Sequence, residues 1–137
     1  MAAGGEWQLA GGRVVVPRPA GPGDVAAIAR LYRELSPESF RRRFCTGQPR
    51  PELVERFASL DRGAVGIVAA PSGESGCLAG EARYVPIGSG TAELALTIRD
   101  GYQHAGLGQL LLAALVARAR EDGLARLRAV VLLANAR

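Results

Sequence analysis

The order of apolar and polar positions changes period along the chain. Between residues 24 and 35, "DVAAIARLYREL" sets Val25, Ile28, Leu31, Tyr32 and Leu35 at helical spacing and turns Arg30, Arg33 and Glu34 outward. That pattern predicts an amphipathic helix, with Asp24 standing where an N-cap belongs. "SPESFRRRF" offers a serine cap, Pro37 at the first helical position and Glu38 in the first turn, and so predicts a second helix. "PELVERFASL", residues 51–60, predicts a short third one.

Elsewhere the period is that of strands. "RVVVPRP" (13–19) reads as a first strand ended by its prolines. "GAVGIVAA" (63–70), "GCLAGEARYV" (76–85) and "TAELALTI" (91–98) are β-branched or alternating runs separated by "PSGESG" and "PIGSG", which predicts an antiparallel meander. In the last of them Glu93, Ala95 and Thr97 share one face and Leu94, Leu96 and Ile98 the other. A helix apolar nearly all round, with Leu107, Leu110, Leu111, Ala114 and Leu115 as core, follows and ends near Gly123. "ARLRAVVLL" (125–133) predicts a final strand. Residues 1–12 read as a flexible N-terminus ahead of a single domain spanning 13–137.

Composition narrows the classes. The chain is 48% hydrophobic and 22% charged, ordinary for a globular domain. No run approaches the roughly 20 uncharged residues of a membrane span, and the N-terminus lacks the order of a signal peptide, so a cytoplasmic location away from membranes is expected. Cys45 and Cys77 lack metal-ligand spacing and read as free thiols, so no metal site is expected. The net charge is +4, and all 17 basic residues are arginine. That leaves no side-chain amine for self-modification. The charge suits an anionic cofactor or an acidic protein surface. Nucleic acid is not expected, because no aromatic stacking platform accompanies the basic residues.

Candidate chemistry concentrates at "YQHAGLGQ", residues 102–109, a glycine-spaced turn feeding a helix. The first helical N–H groups lack intrahelical acceptors, the helix dipole favours an anion there, and glycines admit close backbone approach. His104, the one histidine, falls at a variable position of this turn and reads as a solvated loop residue. Glu93 is an acid inside an otherwise apolar strand, a placement that is costly without a purpose; Glu81, in "GEARY", is the second such acid.

Strand, "RDGYQHAGLG", helix and strand together resemble the acyl-coenzyme A site of the GCN5-related N-acetyltransferases, the GNAT family. Its motif Gln/Arg-x-x-Gly-x-Gly/Ala is matched by Gln103-His104-Ala105-Gly106-Leu107-Gly108. The resemblance implies an α/β (α+β) GNAT fold, a central mixed, mostly antiparallel sheet flanked by helices, with acetyl-CoA as cosubstrate. It implies cofactor binding by Leu96, Thr97 and Ile98 on a splayed strand, by the main chain of Gln103, His104, Ala105, Gly106, Leu107, Gly108 and Gln109, and by Asn135 past the next strand. The Ile98 N–H would polarise the acyl carbonyl. Glu93 falls at the place of the family's general base.

The family continues through one more helix and two more strands, which this chain lacks. It is therefore expected to be C-terminally truncated, with an open sheet edge suited to homodimerisation or element exchange. The helix missing at that end often supplies the acid for the leaving thiolate, which leaves Tyr32, Tyr84 and Tyr102 as candidates. "ELSPESFRRRF" further resembles bacterial Pat-like protein lysine acetyltransferases, implying a protein substrate, an AMP-forming acyl-CoA synthetase; Arg41, Arg42 and Arg43 read either as a solvated helix face or as a cluster of which at most two dock an acidic surface of that protein. Acetylation of a small-molecule amine, or a catalytically silent acetyl-CoA-binding domain, are the other readings.

Overall fold

A computed structural model describes residues 5–44, 54, 58–61, 63–74 and 76–129. Six strands form one sheet in chain order: β1 (Trp7–Gln8), β2 (Val14–Pro19), β3 (Val65–Pro71), β4 (Gly80–Gly88), β5 (Thr91–Ile98) and β6 (Arg126–Arg128). Neighbours pair antiparallel from β1 to β5, while β6 joins β5 in parallel. The meander β3–β4–β5 is the one the alternating runs predict.

Helices α1 (Val25–Arg33) and α2 (Pro37–Phe44) cover one face, and α3 (Leu107–Glu121) covers the other. The two cores follow from strand alternation. Ala82, Tyr84 and Ala92 pack with Leu107, Leu111 and Leu115 of α3. Val68 and Leu78 pack with Ile28, Leu31, Tyr32 and Phe40 of α1 and α2. Ser36 caps α2 as expected, its Oγ accepting the Ser39 N–H at 3.1 Å. The end of α3 closes by Gly123 N–H to Arg120 O at 3.1 Å and Leu124 N–H to Ala119 O at 3.0 Å, the paired bonds of a Schellman stop.

Three expectations are revised. Residues 5–12 do not form a free lead-in, because Trp7 and Gln8 pair with Val15 and Val14 and Leu9 is buried. Asp24 precedes α1 but does not cap it; its carboxylate takes two bonds from Arg18, at 2.5 and 2.8 Å, and one from the Gly21 N–H at 2.8 Å. The salt bridge to β2 outcompetes the local cap, and it holds the Asp24 carboxyl below its ordinary range. The third predicted strand, 76–85, begins at Gly80, four residues later than its apolar run. Of the expected third helix, Val54 and Ala58 are helical and buried, and the rest lies outside the described residues. No helix among the described residues is long and apolar enough to cross a membrane.

Candidate active site

The site is built where β5 leaves its neighbour. The β5–β6 ladder joins Thr91, Ala92 and Glu93 to Arg126, Leu127 and Arg128. Beyond Glu93, residues 94–98 have β4 on one side and no strand among the described residues on the other. A splayed strand of this kind leaves backbone groups available to a ligand.

After Ile98 a 3-10 turn, Asp100–Tyr102, delivers the chain to Gln103. The Gln103 side-chain amide donates to Ile98 O at 3.0 Å and to Ser39 Oγ at 3.2 Å. Asp100 extends the bridge, accepting the Ser36 N–H at 3.1 Å and the Ser39 hydroxyl at 3.3 Å. The capped start of α2 is thus fastened to the glycine turn. On the other side the Ala10 N–H donates to Ala105 O at 3.0 Å, and the Arg13 guanidinium lies 4.0 Å from the Tyr102 ring centroid.

Within the turn, Ala105 and Leu107 point into the core and anchor it. Gly106 adopts φ 92° as the residue before α3, a left-handed conformation that favours glycine, and a Cβ there would meet nothing within 4 Å. The first helical bond is Leu110 N–H to Gly106 O at 3.2 Å. The N–H groups of Leu107, Gly108 and Gln109 precede it and have no intrahelical acceptor. A Cβ on Gly108 would stand 3.4 Å from Leu96 Cδ2 and 3.9 Å from Ile98 Cγ1, so the helix start presses directly on β5.

A cleft of about 290 Å³ lies between these parts. Leu35, Ser39, Arg42 and Arg43 line it from the first half of the chain, Leu96, Thr97 and Ile98 from β5, and Tyr102, Gln103, His104 and Gly108 from the turn. Six residues proposed from the motif and its strand therefore meet in one space. Gly106 and Gln109 are exposed beside it, and His104, at φ 63°, is exposed at its mouth. Asn135 lies outside the described residues.

Glu93 is not among the cleft-lining residues. It sits on the same face as Thr97, four residues or about 13 Å along the strand, and accepts an ion pair from Arg128 at 2.8 Å. Its side chain is 45% exposed.

The second candidate acid, Glu81, is removed as a base by its surroundings. It is fully buried, Arg83 Nε donates to Oε2 at 2.5 Å, and the Tyr32 hydroxyl donates to Oε1 at 2.5 Å. Both oxygens are occupied by structural partners. Burial, and then the adjacent Glu81 carboxylate, push the Tyr32 hydroxyl well above the usual phenol range. Tyr84 is likewise committed, donating to Asp122 just past the C-terminus of α3. Of the three tyrosines, Tyr102 alone lines the cleft.

The arginine run divides between two sides of α2. Arg41 and Arg42 are exposed, and Arg42 pairs with Glu38 at 3.3 Å. Arg43 instead turns inward, because on a helix it shares the face of Phe40 and Phe44.

Residues 25–137 match the Acetyltransferase (GNAT) family. The chain belongs to the GNAT family of acetyltransferases. Its GNAT domain is 34% identical over 121 residues, 86% of the chain, to Acetyltransferase Pat of Mycolicibacterium smegmatis. The chain spans 36% of the length of that relative. Among solved structures, the GNAT domain of S. lividans PAT superposes with a TM-score of 0.80 at 31% identity, over 96% of this chain and 80% of that one. The fold is shared more distantly with yncA from Salmonella typhimurium, solved with its cofactor acetyl-CoA, at a TM-score of 0.69 and 22% identity over 89% and 72% of the two chains. The GNAT assignment agrees with the mixed, mostly antiparallel sheet and its parallel β5–β6 pair.

Proposed function

We propose that this chain binds acetyl-CoA in the β5 cleft and transfers the acetyl group to a lysine side chain of a protein, an AMP-forming acyl-CoA synthetase being the expected target. The observation that carries the reading is the 34% identity to Acetyltransferase Pat across 86% of the chain. The "LSPES" segment that resembles the Pat-like group is also the segment fastened to the glycine turn through Ser36, Ser39 and Asp100.

The residues present fit such a cosubstrate. The N–H groups of Leu107, Gly108 and Gln109 lie at the positive end of α3, Gly106 leaves the approach open, and Arg42 adds positive charge on the opposite wall. These groups would hold the diphosphate, while the free edge of Leu96, Thr97 and Ile98 would take the pantetheine amides. When bound, acetyl-CoA supplies a thioester whose acyl carbon is open to attack by an amine.

A lysine amine, with an ordinary pKa of about 10.4, is protonated at neutral pH. Glu93 would accept that proton through intervening water, freeing the lone pair that forms the C–N bond, and the second N–H proton would pass to the same water as the C–S bond breaks. The Ile98 N–H would stabilise charge on the acyl oxygen. Tyr102 would return a proton to the thiolate sulfur. A cytoplasmic location goes with this proposal.

Incubation with isotopically labelled acetyl-CoA and a cell lysate, followed by mass spectrometry, tests the proposal. Labelled acetyl-lysine on a synthetase is the expected result. Labelled small amines without a modified protein would transfer the reading to small-molecule acetylation, and no label in either would leave a silent cofactor-binding domain.

A further inference from the structure

Among the described residues the inward arginine of α2 has no anionic partner. Arg43 donates from Nε to Thr97 Oγ1 at 2.9 Å and from one terminal nitrogen to the Tyr32 hydroxyl at 3.2 Å. Its guanidinium carbon also lies 4.3 Å from the Phe44 ring centroid and 5.2 Å from that of Tyr32. Thr97 and Tyr32 are both buried, so the guanidinium is held by groups that do not move. These two bonds use part of a fork that carries five N–H donors.

Charge bookkeeping isolates the same residue. Behind it, Glu81 and Arg83 neutralise one another, and beside it Arg42 answers Glu38. Among the described residues no carboxylate pairs with Arg43, which lines the cleft half-buried and oriented. A cation in that position loses hydration without a counter-charge, and a bound anion restores the balance. The planar fork matches a carboxylate in particular.

We infer that Arg43 is a specificity-determining residue that receives a carboxylate of the acceptor, close to the amine being acetylated. The inference rests on the amine acetylation proposed above and adds the chemistry of the acceptor's surroundings. A cosubstrate phosphate is the other source of an anion, but Arg43 and the phosphate donors stand on opposite walls of the cleft. Arg43 and Thr97 belong to the face covered by α1 and α2, whereas the N–H donors of Leu107 to Gln109 open the helix on the opposite face.

The test is a set of lysine peptides in which one glutamate is walked from three residues before the lysine to three after, compared with the neutral parent under saturating acetyl-CoA. At one position or more, the unaltered protein should show kcat/KM about 10-fold above the parent, the scale of a charge-assisted hydrogen bond. Arg43→Gln should level that difference while the KM for acetyl-CoA changes less than about twofold. Arg43→Lys, which keeps the charge without the fork, should retain part of the preference and serves if the glutamine variant does not fold. A preference that survives Arg43→Gln, or no preference anywhere, overturns the inference. A KM for acetyl-CoA that rises while the peptide preference stays assigns Arg43 to the cosubstrate phosphates and also overturns it.

If no peptide or protein is acetylated, the proposed activity fails, and Arg43 is then read by binding alone. Titration of the CoA-loaded protein with glutarate, followed through the 15N resonances of Arg43, should give a saturable shift absent with glutaramide. No shift overturns the anion site independently of turnover.

Discussion

The side-chain amide of Gln103 donates to the carbonyl oxygen of Ile98 at 3.0 Å, tying the first residue of the glycine motif to the last residue of β5. The peptide that follows the free strand edge is thereby fixed in orientation relative to the helix that carries the N–H donors. Replacing Gln103 by Glu sets an oxygen against an oxygen and, on the scale of one hydrogen bond, should weaken acetyl-CoA binding about 5–10-fold. Calorimetry on a variant with an unchanged circular dichroism spectrum checks this.

Gly108 and Gly106 should fail for different reasons. At Gly108 a valine would extend from a Cβ already 3.4 Å from Leu96, crowding β5 and the approach to the helix start, so binding of acetyl-CoA should be lost with the fold largely kept. At Gly106 an alanine meets open space but must hold φ 92°, a backbone cost of about 1 kcal/mol that should appear as lowered thermal stability. Unchanged affinity in Gly108→Val would remove the cofactor assignment.

Glu93→Gln should leave acetyl-CoA binding intact and reduce turnover at pH 7 by roughly 10²–10⁴-fold. The deficit should shrink as pH rises toward the amine's pKa, because more acceptor is then deprotonated without help. Arg128→Ala breaks an ion pair between two well-exposed side chains, so its stability should differ from the parent by less than about 1 kcal/mol. Steady-state rates between pH 7 and 9.5 check the first part and urea unfolding the second.

Tyr84→Phe deletes the hydroxyl that donates to Asp122 and should cost about 1 kcal/mol near neutral pH. Burial, and then the bond to Asp122, push the Tyr84 hydroxyl up to about 12. In the unfolded chain it ionises near 10. The stabilisation is therefore fully present below pH 10 and falls as pH rises from there toward 12. Parent and variant should converge in stability over that interval; a constant gap in urea midpoints from pH 8 to 11 would contradict the coupling.

Local signals carried most of the fold. Helix starts, the meander and the alternation of β5 follow from residues that act within a turn or a strand of themselves. Trp7–Gln8 escaped because two residues are too few to show a period, and their partner β2 supplies the evidence. Asp24 reads as a helix cap because its decisive partner, Arg18, belongs to another element.

Two further site features are legible in the sequence. Arg43 stands three residues after Phe40 and directly before Phe44, which places it on the apolar side of α2. Glu81 and Arg83 are two apart on one strand and so share a face, enough to foresee that they neutralise one another. The Ser39–Asp100–Gln103 bridge left no such trace, since sequence distance hides which loops meet.

That bridge joins residues 61 and 64 positions apart, and the Tyr32–Glu81 bond spans 49. Contacts of such separation form only after the intervening chain has paid its closure entropy. The cleft is consequently complete only when α1 and α2 are docked on the sheet. A partly folded chain has the glycine turn but not the opposing wall, so cosubstrate affinity measures completed tertiary structure, and ligand bound there draws the whole population toward the native state by mass action.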